Sequence, residues 1–66
     1  MDIEERIKKD IKKFEENSKK LENKKLTKVE KEIFMLSQLY KKDSIYYLEK
    51  KDFLTSFSCI SYAHGL

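Results

Sequence analysis

Ile3, Ile7, Ile11, Phe14, Ser18 and Leu21 follow one another at spacings of four, four, three, four and three residues, the repeat of a single helix face. Asp2 ahead of Glu5 supplies an N-terminal cap, so the spacing predicts a helix over 3–22. Its outer face carries Glu4/Lys8, Glu5/Lys9, Glu15/Lys19 and Glu16/Lys20, each in the favourable order with the acid four residues before the base. Asn23, a residue that tolerates the left-handed conformation, is the predicted stop.

Thr27-Lys-Val-Glu30 reads as a capping box that opens a second helix over about 28–50. Winding it at about 100° per residue puts Val29, Ile33, Leu36, Tyr40, Asp43 and Tyr47 on one face, flanked by Leu39. That face is expected to point inward. Phe34 and Ile45 land on the opposite side, where they are expected to meet a neighbour. After a turn of Lys50 and Lys51, Asp52 caps a third helix over 53–66, with Phe53, Leu54, Phe57, Ile60 and Leu66 as its core set. Helix three has no charged face, and Ser56, Ser58 and Ala63 are small enough to let another backbone come close.

Composition narrows the fold. The 66 residues make one domain, 1–66, and charged side chains form 41% of it against about 25% in an ordinary globular domain. With no proline and the single glycine Gly65, the turns that strand folds need are missing. The expected fold is all-α, an antiparallel up-down-up three-helix bundle with a short third helix. At 1.5 Å per residue that helix spans about 21 Å, some 10 Å less than its partners, so it leaves their far ends bare around Phe14, Leu21, Val29 and Ile33.

Charge is distributed unevenly, with 20 of the 27 charged residues in positions 1–32 and none after Asp52. The net charge is only +3, and Arg6 is the lone arginine. The lysines at 12, 13, 19, 20, 24, 25, 28 and 31 alternate with Glu15, Glu16, Glu22, Glu30 and Glu32, which cancels most of the field a phosphate backbone would feel. Specific nucleic-acid binding is therefore not expected, although a basic protein working through these lysines is the alternative reading. The unpaired Cys59, the absence of an apolar leader near Met1 and the lack of an 18-residue apolar run point to a cytoplasmic protein that neither spans nor enters a membrane.

Little in the chain argues for chemistry. His64 is the only histidine, and Cys59 lies five residues away on another helix face, so neither a metal set nor a nucleophile with its base is expected, and no cofactor. Asp43 is the informative polar residue. On the inward face of helix two it would need partners, and Tyr62 and His64 are within plausible reach as a buried polar network; otherwise it lies at the end of the bundle and stays wet.

The stretch from Asp43 to Gly65 resembles the domain of unknown function 357 family. Asp43, Tyr47, Asp52, Phe53 and the whole Tyr62-Ala63-His64-Gly65 element match its pattern, while Ser44 and Ser56 stand in place of alanines and Lys51 in place of a turn glycine. The family pattern runs several helical residues past Gly65, where this chain ends at Leu66. The resemblance implies an archaeal, cytosolic three-helix bundle without an assigned activity. Residues and resemblance together lead to a non-enzymatic bundle that works by protein association, as a homo-oligomer or an adaptor for a larger protein. The expected surface comprises Phe34, Ile45, Phe53, Phe57 and Ile60.

Overall fold

A computed structural model describes residues 2–65 as three α-helices, α1 (Ile3–Glu22), α2 (Lys28–Glu49) and α3 (Phe53–Gly65). They form an all-α bundle measuring 37 × 17 × 16 Å. Leu66, assigned from the sequence to helix three, lies outside the described residues.

Each start is chemically marked. Asp2 accepts the Glu5 amide at 2.8 Å, and Thr27 with Glu30 forms a complete capping box, so orphan N–H groups at both first turns are satisfied. The backbone amide and then the hydroxyl of Thr27 hold the Glu30 carboxyl below its ordinary value. A depressed acid contributes above its unfolded pKa and loses that contribution as pH falls, so the α2 start frays on acidification. Asp52 caps α3 through the Thr55 amide at 3.3 Å and the Thr55 hydroxyl at 2.8 Å.

The two stops differ. Asn23 ends α1 as expected, but at φ −89° rather than in the left-handed region, its side-chain amide donating to the Lys19 carbonyl at 3.4 Å. At the end of α2, Lys51 has φ 62°, with Lys51 N–H donating to Leu48 O at 3.0 Å and Asp52 N–H to Tyr47 O at 2.9 Å. This is a Schellman stop with lysine where glycine is normal, and the Cβ costs about 1 kcal/mol there. Lys51→Gly is therefore expected to stabilise the chain by about 0.5–1 kcal/mol, raising the melting midpoint by about 3–6 °C in a thermal scan followed by circular dichroism.

The apolar core is Ile7, Ile11 and Phe14 from α1 with Ile60 and Ala63 from α3. The stripe on α1 faces inward as its spacing predicts, with Ile3 and Leu21 at its ends exposed. Helix α2 departs from expectation. Its buried residues are Ser37 and Ser44, while Val29, Ile33, Leu36 and Leu39 are exposed. The inward centre is thus turned by about a quarter revolution from the apolar stripe. The cause is the closeness of α2 to α3. Ser44 and Ser56 are both fully buried and interlock: Ser44 Oγ donates to Ser56 O at 2.8 Å, Ser56 Oγ donates to Ser44 O at 2.6 Å, and the hydroxyls lie 3.1 Å apart. Only small side chains allow two helices to approach in this way, and each serine satisfies its own hydroxyl on the opposing backbone. Tyr40, Ile45, Leu48, Phe53 and Phe57 pack partly buried around the core.

Candidate interaction surface

The Tyr62-Ala63-His64-Gly65 element fastens the end of α3 to both other helices. Tyr62 stacks on Tyr40 of α2 with centroids 5.2 Å apart, and Ala63 is buried in the core. His64 sits edge-on to Phe14 at 5.7 Å, its Nε2 lying 2.9 Å from the Asp10 carbonyl of α1. A carbonyl only accepts, so that nitrogen carries the proton and donates. The ring is thereby committed to tying α3 to α1.

The buried network expected of Asp43, Tyr62 and His64 does not form. Asp43 is exposed and its carboxylate accepts no hydrogen bond among the described residues, because the turn of α2 that brings Ser44 inward carries Asp43 out. Tyr62 is 64% exposed and meets Tyr40 instead. Cys59 is half-buried; burial first, then the charges of Asp43 and Asp52, push its thiol up, which disfavours the thiolate. Among the described residues no group of three His, Cys, Asp or Glu side chains is placed to hold a metal ion.

The residues expected to form an outer association face are also placed differently. Ile60 is fully buried, Ile45, Phe53 and Phe57 pack against the core, and Phe34 is half-buried beneath a groove. The same rotation explains the two α2 residues. In α3, Phe53, Phe57 and Ile60 recur at four and three residues and take the side that meets α1 and α2.

Leu54, expected in the helix-three core, is instead 75% exposed, and two larger apolar features are also left uncovered. The first is the α2 stripe, where Val29 is 64%, Ile33 40% and Leu36 44% exposed, with Met35 and Leu39 beside it and the Tyr40–Tyr62 stack at its far end. The second is a groove of about 290 Å³ between the far ends of α1 and α2, lined by Phe14, Leu21, Leu26, Ile33, Phe34 and His64. It lies past Gly65, the last described residue of α3, whose 13 described residues span less than the 20 and 22 of α1 and α2. The length arithmetic predicts that bare end, although Phe14 at its floor is buried. The serine clasp and the outward turn of the stripe escape a reading based on hydrophobicity. Their signal is Ser37 and Ser44, small residues seven apart on one α2 face.

No described helix is long and apolar enough to cross a membrane. A search of curated proteins finds no match. The model of the family described as "protein of unknown function (DUF357)" matches residues 9–66, which takes in most of α1 and all of α2 and α3. The chain therefore belongs to the DUF357 family.

Proposed function

We propose that the chain is a non-enzymatic association module, binding another polypeptide through the outer face of α2. The observation that carries this reading is the exposed Val29, Ile33 and Leu36 stripe, a continuous apolar surface on an otherwise highly charged chain. Neither residue best suited to chemistry is poised for it: His64 binds a backbone carbonyl, and burial with the neighbouring acids disfavours the Cys59 thiolate. A cytoplasmic setting agrees with the unpaired Cys59.

The test is the native mass of the chain in an extract of the cells that make it, detected by antibody after size exclusion. Association predicts elution above the 8.0 kDa chain mass. It also predicts return to monomer mass when Ile33→Lys and Leu36→Lys are combined. A wild-type chain eluting as a monomer would overturn the reading.

Nucleic acid is not the expected partner. The net charge is only +3, and two ion pairs form on α1, Lys8 with Glu4 at 3.6 Å and Arg6 with Asp10 at 3.5 Å. A plot of log affinity for duplex DNA against log salt should be shallower than about −4, since few phosphates are neutralised; a steeper slope would restore the nucleic-acid reading.

A further inference from the structure

We propose that the partner offers an extended, proline-rich segment with a basic residue, docked across the tyrosines at the carboxyl half of α2; the inference rests on the association reading above and names the chemistry of the partner. Val29, Ile33, Leu36 and Tyr40 follow at steps of four, three and four, a seam that faces outward. Past Tyr40 the seam changes character. Its next members are Asp43 and Tyr47, with Tyr46 beside them. Two aromatic ridges frame this end: Tyr40 stacks on Tyr62 at 5.2 Å, and Tyr46 meets Tyr47 edge-on at 5.1 Å. Tyr62 and Tyr46 are the outermost rings, 64% and 53% exposed. Seven residues of helix separate Tyr40 from Tyr47, which sets the ridges about 10 Å apart along the axis. A polyproline II chain repeats every three residues, or roughly 9 Å, so its ridged surface matches that interval. Its carbonyls make no internal hydrogen bonds and are open to donors, and a tyrosine supplies both a ring to pack against and a hydroxyl to donate.

Charge specifies the basic residue. Asp43 lies between the two ridges, exposed and without a hydrogen-bond partner among the described residues. Its neighbours one turn away on the α2 surface, Leu39, Tyr40, Tyr46 and Tyr47, carry no charge, and its own charge reaches Cys59 across the contact with α3. Lys50 lies over the Tyr46 ring at 5.5 Å rather than on Asp43. A carboxylate set among aromatic rings suits an arginine, which pairs with the acid while its plane rests on a tyrosine face.

Size favours an extended occupant. The surface is small, so whatever docks there must lose little freedom in doing so. A proline-rich segment already holds its bound conformation, whereas a short helical peptide has first to be ordered.

Amide chemical-shift titration of the purified full chain tests this, with a synthetic proline-rich peptide of about nine residues carrying one central arginine as the probe. The expected result is saturable binding at roughly tens to hundreds of micromolar, with shifts confined to α2 from Leu39 to Lys50 and to α3 around Tyr62. Tyr62→Ala should weaken binding about tenfold in a chain that remains helical by circular dichroism. Asp43→Asn should weaken the arginine peptide about threefold and leave a peptide with glutamine in place of the arginine unchanged, a difference that no general change of fold produces. An absence of shifts at about 1 mM peptide overturns the proposal, as does an equal loss for the two peptides on Asp43→Asn. Binding of a leucine-rich helical peptide at Val29, Ile33 and Leu36 without binding of the proline-rich one overturns it too, while leaving the broader association reading standing.

Discussion

Ile60→Ala is expected to remove most of the chain's stability at room temperature. Ile60 is fully buried in the core that Ile7, Ile11 and Phe14 form with Ala63, so truncation leaves a cavity in a core of five buried apolar residues. Such changes cost about 2–5 kcal/mol, while a domain this small draws roughly 3–5 kcal/mol from its core. Urea titration followed by circular dichroism should show a loss of about 3 kcal/mol, against about 1 kcal/mol for Ile60→Val. A loss below 1 kcal/mol for the alanine variant would mean that α3 does not form the centre of the core.

Ser44→Leu is expected to be almost as damaging, although it adds apolar surface. Ser44 has no exposed area, and its hydroxyl lies within 3.1 Å of the Ser56 carbonyl and hydroxyl across the helix contact. A leucine there forces α2 and α3 apart and removes the second hydrogen bond that the Ser56 carbonyl accepts beside its helical one, for a combined cost of about 3 kcal/mol. Ser44→Ala combined with Ser56→Ala should cost less than about 1 kcal/mol, since both hydroxyls leave together and the close approach is preserved. Thermal scans of the two variants check the pair. Equal losses would show that hydrogen bonding, rather than the space between backbones, decides this contact.

The serine contact also explains how far the sequence could be read. Caps, helix bounds and the inward face of α1 were legible because Asp2, Thr27 and Asp52 each have local partners and because the stripe from Ile7 to Ser18 has one neighbour side to satisfy. The bare far ends of α1 and α2 were legible from helix lengths, but the groove between them, with Phe14 buried at its floor, was not. The inward face of α2 was not. Its strongest apolar period runs through Val29, Ile33, Leu36 and Tyr40, and hydrophobicity alone turns that period inward, taking Asp43 with it. The helix contact is decided by size instead, since backbones that close accommodate Ser37 and Ser44 but not leucine or tyrosine. Phe34 and Ile45 then move from the outer face to positions against the groove and core. Asp43 moves from a supposed buried network to the solvent edge of the seam.

Everything proposed for association depends on that outward turn of α2, and a comparison of two substitutions measures it directly. Leu36 is 44% exposed on the seam, whereas Ile45 packs against the core. At a few micromolar, Leu36→Lys should leave the thermal midpoint within about 3 °C of wild type. Ile45→Asp should lower it by more than about 10 °C, because a carboxylate is forced against apolar side chains. The opposite order, with Leu36→Lys the destabilising change and Ile45→Asp tolerated, would mean that the seam faces the core, and would contradict the account.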